Sequence, residues 1–357
     1  MNQKDILRSI ISPSDTIKQA IKQLNENSLQ ILLVADSDHR LLGTVTDGDI
    51  RRELEKNWDL NQSVELIMNQ SPRFLYESER ESAHDIMIKE GIRHIPILNF
   101  YKKILDLVLF VNLENVKKQE LFSQKKEKVF ILAGGKGTRL KPFTNIIPKP
   151  LIPLGETPIV EIIMDRFQYF GFNQFILSIN FKAEMIRSYF VDNPKNFQID
   201  YVKEEEFLGT AGSLYFLKNN IKETLIISNC DVILDINFDN FFKYHQECEN
   251  DITVVGVIRH VKIPYGVMEI SDRILQSIKE KPEYDIIVNA GIYAVEYGIL
   301  DLIEDKKYLD MPDLLQMAKA KGKKVGVYLV SAEMIDVGHW DEYKLAEEKA
   351  RQLGFIL

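Results

Sequence analysis

A glycine-rich loop that follows a short apolar run constrains this chain more than any other feature. Val129–Leu132 is apolar, which predicts a buried strand. The strand ends at residues 133–137, where glycines let backbone N–H groups approach a ligand closely. Arg139 and Lys149 then add two cations. The pattern predicts a phosphate-binding loop, although a glycine pair by itself also fits an ordinary strand-to-helix turn.

The spacing within the loop excludes two common nucleotide motifs. A P-loop needs Lys and then Ser or Thr directly after its last glycine, whereas Gly137 is followed by Thr138 and Arg139. The loop does not contain the dinucleotide fingerprint GxGxxG either. Residues 134–139 read Gly-Gly-Lys-Gly-Thr-Arg and residues 148–150 read Pro-Lys-Pro. Together they resemble the signature of the sugar-1-phosphate nucleotidyltransferases.

This resemblance assigns roles to individual residues. The implied catalytic residues are Arg139, Lys149 and Asp231. The implied nucleotide-binding residues lie in the glycine loop and in one later segment: Leu132, Ala133, Gly134, Gly135, Lys136, Gly137, Thr138, Glu204, Gly209 and Thr210.

The region 128–357 alternates strand-like and helix-like patterns. Apolar runs predict strands at residues 175–179, 224–228, 253–257, 287–295 and 324–330, and apolar spacing predicts a helix at 158–170. This alternation predicts an α/β fold with a Rossmann-like, doubly wound, mostly parallel sheet. Ligands of such sheets bind beyond the carboxyl ends of the strands, where the glycine loop falls.

Two aspartates form an acidic pair in the prediction. Asp231 follows the predicted strand at 224–229, and Asp336 lies near the C-terminus, two residues before Gly338. In the resembling family these two positions hold the catalytic magnesium, and Mg²⁺ accepts a few hard oxygen ligands. Either residue alone could instead be a cap or turn residue. Cys230 is predicted to be a small buried hydrophobe rather than a nucleophile.

Sugar-phosphate recognition is implied for four further residues: Gly266, Glu280, Lys281 and Asn289. The alternative is a hairpin turn with solvated charges next to an ordinary strand.

Glu204 opens a run of three glutamates, five residues before Gly209. The resemblance implies that this position reads the base. A carboxylate matches the adjacent N1–H and N2–H donors of guanine, which favours GTP. The alternative is a solvated acidic turn.

The N-terminal region contains an internal repeat. Residues 8–54 and 71–117 align at an offset of 63, within repeats at about 8–58 and 71–117, and each copy predicts helix, strand, turn, strand, helix. One copy is too small to fold alone, so the two should pack as a pseudo-symmetric pair. The copies resemble cystathionine-β-synthase (CBS) motifs. The predicted organisation is a CBS pair at 1–120, a linker at 121–127 and a nucleotidyltransferase domain at 128–357.

CBS pairs commonly bind adenine nucleotides, and the resemblance implies that Thr46 and Asp49 contact the ligand. The second copy has Leu109 and Asn112 at the equivalent positions, so at most one site is expected. The alternative is a structural or dimerising role, with Asp49 as the N-cap of a helix that begins at Ile50.

The composition limits the kinds of partner that the protein is expected to bind. The 357 residues suggest two domains, and the net charge of −8 argues against nonspecific binding of nucleic acid or anionic membranes. Two cysteines are too few for a disulfide framework. Because no apolar run approaches the ~20 residues of a membrane span and no secretion signal is evident, a cytoplasmic protein is expected.

A CBS pair ahead of a nucleotidyltransferase resembles the bacterial glucosamine-1-phosphate guanylyltransferases of legionaminic acid biosynthesis. The resemblance implies conversion of GTP and glucosamine 1-phosphate to GDP-glucosamine and pyrophosphate, with Mg²⁺ as cofactor, by a homodimer or larger oligomer. The alternatives are uridylyl or thymidylyl transfer, guanylyl transfer to mannose or heptose phosphate, and a non-catalytic nucleotide sensor.

Overall fold

The structure is a computed structural model that describes residues 6–27, 31–56, 59–83, 86–87, 92, 94–109, 122–338, 340–352 and 355–356. Leu113 and Asn112 of the predicted second repeat, and residue 121 of the predicted linker, lie outside these ranges.

The N-terminal elements are β1 (Ile10–Ile11), α1 (Ile17–Asn27), β2 (Ile31–Ala35), β3 (Leu41–Thr46), α2 (Asp47–Lys56), β4 (Leu75–Tyr76), β5 (His94–Leu98) and β6 (Ile104–Leu109). The following elements are β7 (Val129–Leu132), β8 (Pro153–Leu154), β9 (Thr157–Pro158), α3 (Ile159–Tyr169), β10 (Gln174–Ile179), α4 (Ala183–Asp192), β11 (Gln198–Lys203), α5 (Gly209–Gly212), β12 (Leu225–Asn229), β13 (Val232–Leu234), α6 (Phe238–Glu247), β14 (Ile252–Lys262), β15 (Val267–Ser271), β16 (Ile274–Lys279), β17 (Glu283–Val295), α7 (Met311–Ala320), β18 (Val325–Val330), β19 (Met334–Asp336) and α8 (Trp340–Gln352).

The N-terminal repeat is visible in two small sheets of identical topology, β1-β2-β3 and β4-β5-β6. Ile31 pairs with Thr46 in the first sheet, and His94 pairs with Leu109 in the second, which preserves the offset of 63. The two sheets also meet: Arg40 forms an antiparallel bridge with Lys103, again 63 residues away. A buried apolar cluster joins both copies through Leu33, Leu41, Leu98 and Leu107. The sheets therefore pack as a pseudo-symmetric pair.

The helix after β3 begins at Asp47 rather than at Ile50. Asp49 accepts hydrogen bonds from both the backbone N–H and the hydroxyl of Thr46, at 2.8 and 2.7 Å. Thr46 therefore occupies the cap position and Asp49 the third helical position, as in a capping box. The predicted role of Asp49 as the N-cap itself is wrong by one helical turn.

A seven-stranded sheet forms the centre of the larger unit, in the order β11-β10-β7-β12-β17-β14-β18. The α/β fold is confirmed. The expected mostly parallel, doubly wound sheet holds only in part, because β17 pairs antiparallel with both β12 and β14 and makes the sheet mixed. The pairs β11–β10, β10–β7, β7–β12 and β14–β18 are parallel.

β7 is an interior strand of this sheet, between β10 and β12, and its side chains are buried on both faces. Val129 and Ile131 face one apolar cluster, and Phe130 faces a second. α3 covers the first face with Ile159, Ile162 and Ile163, whose spacing places them on one side of the helix. β7, β10 and β12 are parallel, so their carboxyl ends reach the same edge of the sheet. The loop that begins at Ala133 is therefore held at that edge by a rigid core.

The first repeat packs directly on the larger unit. Ile258 of β14 and Leu329 of β18 belong to the apolar cluster of the first repeat. Lys18 of α1 forms an ion pair with Asp285 of β17 at 3.3 Å. Among the described helices, none is long and apolar enough to cross a membrane.

Candidate active site

The glycine loop turns sharply at Gly137, where φ is +58°, a conformation that favours glycine. A β-carbon at this position would lie 2.8 Å from Thr144 Cγ2 and 3.0 Å from Lys149 Cβ. The hydroxyl of Thr144 donates a hydrogen bond of 2.9 Å to the Gly137 carbonyl. At Gly135 a β-carbon would meet no atom within 4 Å, so the loop has open space on its outer side. The segment 143–149 therefore packs against the inner side of the loop at Gly137.

Lys149 and Asp231 are brought together by this arrangement. Lys149 is buried in a short 3₁₀ helix, Lys149–Leu151, and its ammonium forms an ion pair with Asp231 Oδ2. The lysine predicted to bind phosphate and the aspartate predicted to bind metal therefore face the same point. A buried cation paired with one carboxylate can exchange that partner for a phosphate oxygen without leaving the site.

Asp231 and Asp336 meet through a two-stranded ribbon. β13 pairs antiparallel with β19, with Val232 opposite Asp336. The backbone N–H of Val337 donates a hydrogen bond of 2.9 Å to the Asp231 carbonyl. This pairing brings the backbones of the two predicted metal-binding residues together just beyond β12, although they lie far apart in sequence.

Arg139 approaches the second carboxylate. A β-carbon at Gly338 would lie 2.7 Å from Asp336 Oδ1 and 3.7 Å from Arg139 Nη2, so the guanidinium and the carboxylate flank Gly338. The Gly338 N–H also donates a 2.6 Å hydrogen bond to Asp336 Oδ1. Two cation–carboxylate pairs, Lys149 with Asp231 and Arg139 near Asp336, are thus carried by segments that meet beside the glycine loop.

The glutamate expected to read the base is buried, with 4% of its surface exposed, whereas Glu205 and Glu206 are exposed. The Ser178 hydroxyl donates to Glu204 Oε1, and the Leu208 N–H donates to Oε2 at 3.2 Å. A β-carbon at Gly134 would lie 3.0 Å from Oε1. The acidic turn is therefore not uniformly solvated, because Glu204 lies directly behind the glycine loop.

Gly209 and Thr210 have other contacts. Gly209 has a φ of +83°, and a β-carbon there would lie 2.4 Å from the Leu309 carbonyl oxygen. The Thr210 hydroxyl donates to Asp310 at 3.2 Å and accepts from the Met311 N–H at 2.8 Å. Both residues therefore anchor the start of α7, which accounts for their identity without a nucleotide.

The predicted sugar residues fall at the base of the β15–β16 hairpin and on β17. Gly266 lies beside Glu280, since a β-carbon at Gly266 would be 3.0 Å from Glu280 Oε2. Lys281 is exposed and has a φ of +44°. The Asn289 amide donates to the Tyr293 hydroxyl at 2.8 Å, and its oxygen accepts from the Gly291 N–H at 2.9 Å.

Cys230 is buried next to the carboxylates. Burial, together with the neighbouring charge of Asp231, raises the pKa of the Cys230 thiol to about 12. The thiol stays protonated at neutral pH and is a poor nucleophile. Its predicted role as a small buried side chain fits this environment.

Three polar residues of the site were not predicted from sequence: Ser178, Asn180 and Asn229. Ser178 and Asn180 hold Glu204, the latter by a 2.8 Å hydrogen bond to its carbonyl. Asn229 lies opposite Leu132 at the end of β12. Asn180 and Asn229 directly follow predicted strands and Ser178 lies one residue before the end of one, so their position at the ligand-binding edge was the available signal.

The oxygen donors limit the metal that the site could hold. Within the described ranges, no group of three or more His, Cys, Asp or Glu side chains could hold a metal ion. The pair Asp231 and Asp336 supplies only hard oxygen ligands. Such a sparse set fits Mg²⁺, which keeps several waters and takes substrate phosphate oxygens.

Comparison with known proteins agrees with this geometry. The Nucleotidyl transferase family profile matches residues 128–352, and the CBS domain profile matches residues 3–56. The bifunctional protein GlmU of Methanococcus maripaludis (strain C7 / ATCC BAA-1331) is 32% identical over 222 residues, which cover 59% of this chain and 51% of that protein. The probable glucose-1-phosphate cytidylyltransferase of Bacillus subtilis (strain 168) is 31% identical over 198 residues, which cover 49% of this chain and 77% of that protein. The chain thus spans about half the length of the GlmU relatives that it matches.

The crystal structure of HddC from Yersinia pseudotuberculosis is also similar, with a TM-score of 0.51 and 29% identity over 62% of this chain and 99% of HddC. A second HddC structure, complexed with GMP-PN, has the same TM-score and 28% identity. Residues 128–352 therefore form a nucleotidyltransferase domain behind an N-terminal CBS domain, and the chain belongs to the nucleotidyl transferase family.

Proposed function

We propose that the protein transfers a nucleotidyl group from a nucleoside triphosphate to a sugar 1-phosphate and releases pyrophosphate. The observation that carries this proposal is the convergence of Lys149, Arg139, Asp231 and Asp336 beside the glycine loop. Four charged groups of both signs at one strand edge suit the joining of two anionic substrates better than they suit a nucleotide sensor, which has no need of all four.

The reaction places definite demands on the chain. The sugar phosphate oxygen attacks the α-phosphorus in line, and the bond to pyrophosphate breaks. This oxygen is already anionic at neutral pH, so no general base is required. The protein must cancel the repulsion between two phosphates and neutralise the leaving group. Lys149 and Lys281 suit the phosphates that are joined, and Arg139 suits the leaving pyrophosphate.

We propose that Asp231 and Asp336 hold a catalytic Mg²⁺. When bound, Mg²⁺ supplies positive charge to the phosphate oxygens and to the departing pyrophosphate. Lys149 neutralises Asp231 in the structure, so this carboxylate keeps a balanced charge when it is not bound to a metal. The Gly338 N–H holds one oxygen of Asp336 and leaves the other for a ligand.

We propose GTP and glucosamine 1-phosphate as the substrates, within a pathway to legionaminic acid. The buried carboxylate of Glu204 supports guanine, and so does the crystal structure of HddC in complex with GMP-PN, a guanine nucleotide analogue. The printed name of the Bacillus subtilis relative, a probable glucose-1-phosphate cytidylyltransferase, leaves other bases and hexose phosphates as alternatives. We place the sugar phosphate between Gly266, Glu280, Lys281 and Asn289.

A coupled pyrophosphate assay tests this proposal directly. It should be run on the full chain with four nucleoside triphosphates against glucosamine, glucose, mannose and heptose 1-phosphates. We expect the highest kcat/KM with GTP and glucosamine 1-phosphate. No pyrophosphate release with any pair would contradict the enzymatic function and favour the nucleotide sensor.

Glu204→Gln is expected to raise the KM for GTP and to narrow the preference for GTP over UTP. The loss of a charged hydrogen bond to guanine costs about 1–3 kcal/mol. The fold should tolerate the change, because the Gln oxygen can accept from the Leu208 N–H while its amide donates to Ser178. Initial rates with GTP and UTP measure the effect. Glu205→Gln is the matched control, since Glu205 is exposed. An unchanged preference for GTP over UTP in Glu204→Gln would indicate that backbone groups of the glycine loop recognise the base instead.

For residues 1–120 we propose a tandem CBS pair that binds at most one adenine nucleotide at Thr46 and Asp49 and forms part of a homodimer or larger oligomer. A ligand at this site would have to replace the hydrogen bonds between these two residues. Calorimetry with ATP, ADP and AMP should show one site per chain, lost in Asp49→Ala. If calorimetry shows no nucleotide binding and sedimentation measurements show self-association, the CBS pair is an oligomerisation element instead.

A further inference from the structure

The helix that begins at the capping box reaches the segment that carries Asp336. Asp47, the first residue of α2, accepts a hydrogen bond from the backbone N–H of Ser331. Ser331 directly follows β18, and β19, which ends at Asp336, begins three residues later. A side chain of the first repeat thus holds the connection between the edge strand and the carboxylate ribbon.

The same helix face makes a second contact with β18. Arg51, one turn after Asp47, lies with its guanidinium 4.0 Å from the centre of the Tyr328 ring. Residues four apart share one face of a helix, so Asp47 and Arg51 form one contact surface on β18 and its end. α2 is therefore fixed relative to the strand, and Asp47 can hold Ser331 at a defined position.

The larger unit supplies contacts to the rest of this connection. Arg259 donates a 2.9 Å hydrogen bond to the Met334 carbonyl, and the Asp235 N–H lies 3.4 Å from the Glu333 carbonyl. Both contacts fix the second half of the connection. Asp47 fixes the first half, and it does so from the first repeat.

Burial of the Asp47 carboxylate has an energetic cost, which the Ser331 contact reduces but does not remove. Burial raises the pKa of the Asp47 carboxyl to about 6. The neighbouring Asp49 also raises this pKa, whereas the Ser331 N–H and Arg51 lower it. Because the folded-state pKa lies above the unfolded value, folding favours the protonated carboxyl, and this contribution to stability is lost as the pH rises through about 6. A stabilising role alone would be served better by an uncharged acceptor.

We infer that Asp47 is a positioning residue for the active site: it holds Ser331 so that β19 presents Asp336 to the metal beside Asp231. This inference rests on the proposed role of Asp336. Groups that orient a metal-binding residue without touching the metal commonly change its metal affinity by about 10–100-fold. The first CBS repeat therefore contributes to metal binding in the other unit.

The test uses the full chain and compares Asp47→Ala, which removes the acceptor, with Asp47→Asn, which keeps an oxygen for the Ser331 N–H. We expect Asp47→Ala to raise the half-saturating Mg²⁺ concentration about tenfold and to weaken Mn²⁺ binding, measured by electron paramagnetic resonance, by a similar factor. The KM for the nucleoside triphosphate at saturating Mg²⁺ should be unchanged. Asp47→Asn should restore both metal parameters and should not be less stable than the wild type at neutral pH.

Lys18→Ala is the matched control, because it removes another contact between the same two units without touching Ser331. It should leave Mg²⁺ dependence unchanged. An equal effect in Lys18→Ala and Asp47→Ala would overturn the inference in favour of a general loosening of the interface. If Asp47→Ala does not fold, Asp47→Met, which lacks a polar acceptor and favours helix, replaces it.

Hydrogen exchange separates this inference from the proposed reaction. Faster exchange at the amides of residues 331–337 in Asp47→Ala, with Asp47→Asn like wild type, supports the positioning role even if the pyrophosphate assay fails. Unchanged exchange together with unchanged Mn²⁺ binding in Asp47→Ala overturns it.

Discussion

Replacing either Asp231 or Asp336 by asparagine is expected to abolish nucleotidyl transfer while the chain stays folded. Both carboxylates are proposed to hold the Mg²⁺ that carries leaving-group charge, and an amide oxygen is a much weaker ligand for it. Pyrophosphate release at saturating Mg²⁺ measures the loss, and circular dichroism checks the fold. Asp305→Asn is the control, since Asp305 is exposed and outside the site. Near-normal turnover in either variant would refute the metal assignment.

The two variants should differ in stability. Asp231→Asn leaves the buried ammonium of Lys149 without its carboxylate. Asp336 Oδ1 instead accepts from the Gly338 N–H, a hydrogen bond that the amide oxygen of asparagine can keep. An uncompensated buried charge is costly, so Asp231→Asn should have the lower thermal midpoint.

Lys149→Met is expected to lower kcat/KM by about 10²–10³, the range seen when one preorganised group that stabilises transition-state charge is removed. Methionine keeps most of the apolar stem and loses the charge. The matched control is Lys141→Met, because Lys141 lies in the same segment and is exposed. Initial-rate kinetics across both substrates measure the effect. A loss no larger than that of Lys141→Met would show that Lys149 only neutralises Asp231.

Sequence patterns predicted the elements around the candidate site where local chemistry determines structure. The predicted strand Val129–Leu132 has the observed bounds, because an apolar run that ends at glycines defines both of its ends. The predicted helix at 158–170 is observed as Ile159–Tyr169. The loop and Asp231 could be placed at one edge because parallel strands share their carboxyl ends, whereas Lys149 and Asp336 were implied by the family resemblance.

Other features depended on contacts that no local pattern encodes. The antiparallel direction of β17 and the extension of β14 to Lys262 follow from their mutual pairing, and an apolar run carries no information about strand direction. The burial of Glu204 depends on Ser178 and Leu208, whereas three adjacent glutamates suggest a solvated turn. The start of α2 differs from the prediction because the Asp49 carboxylate, at the third helical position, accepts from the Thr46 N–H, which is one half of a capping box.

The β13–β19 ribbon has a consequence for the order in which the protein folds. It joins Val232 to Asp336, so the proposed metal site closes only when β19 has paired with β13. Contacts between residues so distant in sequence form late, since the intervening chain must first lose its freedom. On the proposed assignment, metal binding would report that this pairing is complete, because a chain in which β19 has not yet docked presents Asp231 without Asp336. Nucleotidyl transfer would then begin only after β13 and β19 have paired.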